Sequence, residues 1–183
     1  MIFQRLLTLS DATQLADYHR RNERFHQPWS PLRTEGFYSP AFQETGLRHY
    51  LERHNRGEQY RFGIFTGSDP EDLIGAITLA AVERDFFQNG RLGYSIDAQF
   101  QNRGIITEQL KIVIQFAFQR LGLHRLEASI MPHNVASRRV LEKCGFQKIG
   151  LAPQYLQIQG VWRDHELYMT LAASSQEPGK QGE

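Results

Sequence analysis

Hydrophobic positions change their period several times along the chain, and those changes divide it into elements. Ser10 and Asp11 precede a helical stretch running to about Phe25, with Leu15 and Tyr18 on its inner face; a capping side chain before an apolar stripe is the usual start of a helix. Pro28-Trp29-Ser30-Pro31 breaks the chain, and a second helix is predicted over residues 41–56, stopping at Gly57, since glycine accepts the left-handed conformation that ends helices. From Tyr60 the pattern turns to the β-branched and aromatic content of strands. Three are predicted, over residues 60–65, 73–83 and 91–96, with a tight turn at Asn89-Gly90 joining the last two.

The clearest stripe at helical spacing is Leu110, Val113, Ile114, Ala117, Phe118 and Leu121, within a helix predicted from about Gly104 to Leu121. Residues 125–130 read as a strand, residues 134–143 as a short helix closed by Gly145, and residues 148–159 and 161–171 as two strands turning at Gly160. Strand, glycine-bearing turn, long helix and strand make a βαβ unit, which requires two parallel strands, while the hairpins on either side are antiparallel. The expected class is therefore α/β with a mixed sheet. One domain is expected over residues 1–171, followed by a disordered tail over residues 172–183, rich in Ser, Gln, Gly and Pro.

Composition narrows the function classes. With 183 residues, 40% of them hydrophobic and 22% charged, the chain has enough apolar material for one core. Its longest mostly apolar run, residues 73–82, is far short of the ~18 residues a membrane span needs, and Arg5 interrupts any leader-like start. A cytoplasmic protein without a membrane contact is expected. A net charge of +1 argues against a whole-protein field for nucleic acid, although Arg20, Arg21 and Arg24 form a local candidate contact for the ribosome. The lone Cys144 is expected to be a small core residue, and seven histidines without ligand spacing suggest no metal site.

The candidate chemistry begins at Gln101, Asn102, Arg103, Gly104, Ile105, Ile106 and Thr107, between a strand and the long helix. A helix start leaves about four N–H groups without internal partners and carries partial positive charge. A glycine there removes the Cβ that would hold a phosphate away, so the loop suits a pyrophosphate. Neither dinucleotide nor P-loop spacing is present.

Further along, Met131-Pro132-His133-Asn134 opens the next helix and Gly145-Phe146 follows it. Together with the glycine loop, these resemble the Gcn5-related N-acetyltransferase (GNAT) superfamily. The chain is similar in particular to its RimJ/RimL-type ribosomal-protein-alanine N-acetyltransferases. Leu123-His124-Arg125, residues 155–160, Trp162-Arg163-Asp164-His165, Ala16-Asp17-Tyr18 and Pro28-Trp29 carry that likeness. The resemblance implies transfer of the acetyl group of acetyl-coenzyme A (acetyl-CoA) to an amine by direct attack. It implies a sheet whose central parallel strands, residues 91–96 and 125–130, splay to admit the pantetheine arm. Backbone groups around Tyr94 and Ile96 would pair with that arm, Gln101 to Thr107 would hold the pyrophosphate, and Asn134 would hydrogen-bond the pantetheine. Ile106 departs from the usual Gly or Ala of the loop.

The family's tyrosine acid falls on Leu141 and the RimL-type glutamate base on Leu156, so both are missing. Ser137 matches the RimL-type serine and is the candidate partner of the departing thiolate. Glu127 is a candidate for the active slot and equally for an ion pair with Arg125 or Arg163. Trp29, Tyr38 and Tyr155 are candidate acceptor contacts, and Arg138 and Arg139 candidates for the cofactor 3′-phosphate. The favoured acceptor is a protein N-terminus, that of a ribosomal protein being one case. A free α-amine has a pKa near 8 and asks less of a base than a lysine near 10.4. A small-amine acetyltransferase and a non-catalytic acetyl-CoA-binding protein are the alternatives. An acidic groove would favour polyamines, and a neutral aromatic groove peptide ends.

Overall fold

The computed structural model describes residues 1–67 and 71–173; from residue 174 onward the expected tail lies outside the described residues. Seven strands form one sheet: β1 (Ile2–Leu6), β2 (Tyr60–Thr66), β3 (Leu73–Glu83), β4 (Asn89–Ile96), β5 (Arg125–Ile130), β6 (Gln147–Ile158) and β7 (Val161–Leu171). Their spatial order is β1-β2-β3-β4-β5-β7-β6. Five helices accompany them: α1 (Ala12–Arg21), α2 (Glu23–His26), α3 (Pro40–Asn55), α4 (Ile105–Gln119) and α5 (Val135–Lys143).

The sheet is covered on both faces. Leu110, Val113 and Ala117 of α4 and Leu141 of α5 pack with Ile64, Ile77, Leu79 and Leu126 on one side. On the other, Leu15 and Tyr18 of α1 and Leu47 and Tyr50 of α3 close over Leu7, Phe65 and Leu73. The three- and four-residue spacing of these side chains is what a helix needs to present one apolar stripe to a sheet.

All strand pairs are antiparallel except β4 and β5. Those two pair in parallel through Asn89–Arg125, Gly90–Leu126 and Arg91–Glu127, and no further. Beyond Arg91 the strands part, which opens the central slot expected from the family resemblance.

Three local expectations are corrected. Asn89 and Gly90 lie inside β4 rather than in a turn; the connection runs over residues 84–88, with Asp85 and Gln88 in the left-handed region. Gly90 is needed for space, because a Cβ there would stand 2.6 Å from Leu79 Cδ1 and 3.2 Å from Leu123 Cδ1. The first helix breaks at Asn22, whose side chain donates to the Tyr18 carbonyl and to Asp97 and accepts from Ala98 N–H. Cys144 is only half-buried.

Candidate functional site

Ser39, Gly104 and Asn134 each start a helix near one cleft. Ser39 accepts from Phe42 N–H to begin α3. Gly104 begins α4 at φ +76°, and Glu108 N–H to Gly104 carbonyl, 3.0 Å, is the first bond of that helix. The N–H groups of Ile105, Ile106 and Thr107 therefore precede the helical ladder, with no side-chain cap on Gly104. A Cβ built on Gly104 meets nothing within 4 Å, so the glycine faces open space. Asn102, at φ +57°, tightens the turn, Arg103 lies over the Phe100 ring at 5.1 Å, and Gln101 donates to the Ala98 carbonyl.

The cleft, about 740 Å³, runs from this loop past the parted end of β4 to the segment after α2. Its walls bring together Tyr94, Ile96, all of Gln101 to Thr107, Asn134, Ser137, Trp29 and Tyr38. At its centre the Ser137 and Tyr94 hydroxyls share a hydrogen bond of 2.7 Å, and Tyr94 Oη also lies 3.2 Å from the Ser137 carbonyl. Burial pushes the Tyr94 pKa up, against the pull of the Ser137 bond, so the phenol stays protonated. Tyr94 carries one hydrogen for two acceptors, the Ser137 carbonyl and Ser137 Oγ; when it donates to Oγ, the serine hydrogen is free to be offered onward.

The other side chains at the cleft are fixed by specific contacts. Asn134 Oδ1 caps α5 by accepting from Ser137 N–H at 3.0 Å, which orients the serine. His26 Nε2 donates to the Ile96 carbonyl at 2.9 Å, so that carbonyl is already engaged by a side chain. Trp29 packs on His133, ring centroids 5.2 Å apart, and Gln159 at the β6–β7 turn bonds Ser30 through N–H and Nε2. The β6–β7 hairpin thus closes this end of the cleft against the Pro28-Trp29 loop.

Over residues 2–147 the chain matches the family model described as an acetyltransferase (GNAT) domain. It belongs to the GNAT acetyltransferase family. This acetyltransferase is 39% identical to the probable N-acetyltransferase YjcK of Bacillus subtilis, over 93% of each chain. It is 38% identical to the [ribosomal protein uS5]-alanine N-acetyltransferase of Escherichia coli, over 89% of this chain and 84% of that one. Among solved structures, the ribosomal-protein-S5-alanine acetyltransferase of Vibrio fischeri superposes with a TM-score of 0.89 at 32% identity, covering 93% of this chain and 92% of that one. RimJ of Mycobacterium smegmatis, in complex with CoA-disulfide, gives 0.88 at 25% identity over 93% and 82%.

The structure does not bring two expected site residues of this acetyltransferase into the cleft. Glu127 accepts from Arg125 Nε at 2.7 Å and is absent from the cleft wall; alternation along β5 sets it on the face of Arg125, opposite the buried Leu126, Ala128 and Ile130. The candidate base is an ion-pair partner. Tyr155 packs on His165, ring centroids 5.8 Å apart, and is also outside the wall. Arg138 is tied to Glu166 and the Pro132 carbonyl, whereas Arg139 and Lys143 do line the cleft. Arg21 is held by Asp97, Asp72 and the Leu73 carbonyl, and the exposed Arg20 donates to the Tyr38 carbonyl.

Sequence reasoning missed the Tyr94 hydroxyl, His19 and His26 in the wall. The strand pattern marked Tyr94 as an element residue, but nothing in it paired that phenol with Ser137. Among the described residues no group of three or more His, Cys, Asp or Glu side chains is arranged to hold a metal ion, and no helix is long and apolar enough to cross a membrane.

Proposed function

We propose that this acetyltransferase transfers the acetyl group of acetyl-CoA to the α-amino group of a protein N-terminus, a ribosomal protein being one such acceptor. The observation that carries the acceptor class is the makeup of the far end of the cleft. Phe25, Trp29, Phe37 and Tyr38 line it, and Glu23 is the one acid in the wall among the described residues. An aromatic groove with one carboxylate suits the backbone and side chains of a peptide end better than the repeated ammonium groups of a polyamine. The E. coli relative, which acts on an alanine of ribosomal protein uS5 by its name, supports the same class.

The residues present fit the cofactor. The N–H groups of Ile105, Ile106 and Thr107 and the open space at Gly104 suit a pyrophosphate, with Arg103, Arg139 and Lys143 in the same wall to meet further phosphate charge. The edge of β4 beyond Arg91, unpaired with β5, suits the pantetheine amides. Asn134 keeps Nδ2 for the arm while its oxygen holds Ser137. When bound, acetyl-CoA supplies an activated thioester for the amine to attack. Ser137, backed by Tyr94, donates a hydrogen bond where negative charge develops on the departing sulfur. The α-amine ionises near pH 8 and loses its proton to water or to a weak base.

The test is thiol release from acetyl-CoA with peptides bearing free α-amines, spermidine and an aminoglycoside, comparing wild type with Ser137→Ala. Peptide-dependent release that falls in the variant is expected. Release with small amines alone would overturn the N-terminal acceptor. Cofactor binding without release from any acceptor would favour the non-catalytic alternative.

A further inference from the structure

Among the described residues two arginines have no carboxylate partner, Arg33 in the cleft wall and Arg61 on β2. Arg61 stands on β2, on the face opposite Phe62 and Ile64, which pack under α4. That places it on the face carrying Tyr18 and Tyr50. Among the described residues its guanidinium makes no hydrogen bond and no ion pair. It is only partly exposed, and burial, together with the nearby Arg33 charge, lowers its pKa from the usual arginine range. Arg33 lies in the cleft wall, 4.2 Å over the Phe37 ring, also without a carboxylate partner among the described residues.

His19 joins them. It lines the cleft, its ring lies 4.9 Å from that of Phe37, and its Nε2 is buried without a partner. Burial and then Arg61, His26 and Arg33 hold it neutral, so one ring nitrogen keeps a hydrogen to donate. The acid of this wall, Glu23, lies beside Tyr38, where its charge adds to burial in raising the pKa of that phenol. Other nearby acids are taken: Asp97 is bonded by Arg21 and Asn22, and Asp72 by Arg21.

Partly buried guanidinium groups are ordinarily paired, because an unpaired charge loses its hydration without recompense. Arg61, partly buried on β2 and unpaired among the described residues, and Arg33, exposed at the rim and sharing the Phe37 ring with the unpartnered His19, form a positive corner at the edge of the cleft. Arginine is the residue suited to carboxylate, through its planar fork of donors.

We propose that Arg33, Arg61 and His19 form a carboxylate-binding subsite for the acceptor, so that the acetylated amine belongs to a molecule carrying an acidic group close to that amine. The inference rests on the N-terminal reading above and deepens it. In a protein acceptor the anion is an aspartate or glutamate within the first few residues. A polyamine would be repelled from the same corner.

The experiment compares three octapeptides that begin with alanine and carry glutamate, glutamine or lysine at positions two to four. Aspartate, glutamate and spermidine serve as small acceptors. The glutamate peptide is expected to exceed the glutamine peptide by about tenfold in kcat/KM, mostly through KM, and the lysine peptide to be poorest. Arg33→Gln should remove most of this preference and Arg33→Glu should turn it toward lysine. Arg61→Gln is the second variant; Arg33, at the exposed rim, gives a result even where the Arg61 variant fails to fold.

Binding of the same peptides to the enzyme–CoA complex, by titration calorimetry, reads the preference apart from turnover. Equal kcat/KM or equal affinity across the charge series would overturn the subsite, as would a preference that survives both glutamine substitutions, and either would leave the N-terminal reading intact. Inert peptides beside aspartate or glutamate acetylated in an Arg33-dependent way would overturn the N-terminal reading and leave the subsite standing.

Discussion

Ser137 and Tyr94 hold each other at 2.7 Å, and Asn134 fixes the serine backbone from below. Ser137→Ala should lower kcat by about a hundredfold, the lower range for a positioned proton donor, with the KM for acetyl-CoA close to wild type. Tyr94→Phe should lower kcat less, and the double variant should fall short of the product of the two, because the hydroxyls act as one unit. Steady-state thiol release at saturating acceptor reads all three.

His19 makes a second prediction at this scale. Burial and three neighbouring cationic or titrating groups, Arg61, His26 and Arg33, bring its pKa to about 3 from 6.5. Between those values the unfolded chain holds a proton that the folded chain does not, so stability is complete above pH 6.5 and declines as pH falls toward 3. His19→Phe should flatten the loss of urea midpoint between pH 7.5 and pH 5. Ser137 was legible in the sequence because its place after Asn134 matches a family pattern. For Glu127 the sequence left the active slot and an ion pair with Arg125 or Arg163 both open, because alternation along a strand fixes opposite faces without telling which one faces a cleft, and the structure pairs it with Arg125.

Among the elements, two glycines separate backbone need from packing need. Gly90→Ala forces a Cβ to 2.6 Å from Leu79 Cδ1 in a filled core, and should cost about 1–3 kcal/mol. Gly104→Ala meets no atom but strains a residue at φ +76°, and should cost about 1–2 kcal/mol. It should also weaken coenzyme A binding, which Gly90→Ala should not; urea unfolding and calorimetry distinguish the two. The turn predicted at Asn89-Gly90 failed for this reason. A dipeptide that suits a tight turn equally suits a strand where a leucine needs the space. The long helices were legible from their stripes, whereas β1 was not read, its five residues being uniformly half-buried without alternation. The break at Asn22 depends on Asp97 and Ala98, some 75 residues away, so no local pattern records it.

Across the whole molecule, Asp97 ties α1 to the end of β4. It is buried and accepts from Arg21 Nε at 2.6 Å, Asn22 Nδ2 at 3.0 Å and Gln99 N–H at 2.9 Å. Burial alone would raise its pKa, but these donors outweigh it and hold the carboxyl below its usual value. Its contribution is therefore present above the ordinary value near 3.8 and lost as pH falls through the lower folded value. Asp97→Ala should destabilise by about 3 kcal/mol by leaving Arg21 and Asn22 without their shared acceptor, measured by urea unfolding at neutral pH. The mixed sheet and the glycine loop were readable from order and composition. The corner formed by Arg33, Arg61 and His19 was not, because it is assembled from three separate elements that only the fold brings together.

The three residue pairs joining β4 to β5 make the sheet two rafts laced at one end. Four strands lie on one side of the lacing and three on the other. On the proposed reading, a molecule lodged in the wedge beyond Arg91 would replace the missing rungs and brace the rafts against each other, making cargo and scaffold partly the same object. The loaded protein should then resist unfolding better than the empty one, and giving up the spent carrier would mean loosening the enzyme's own seam each time it turns over.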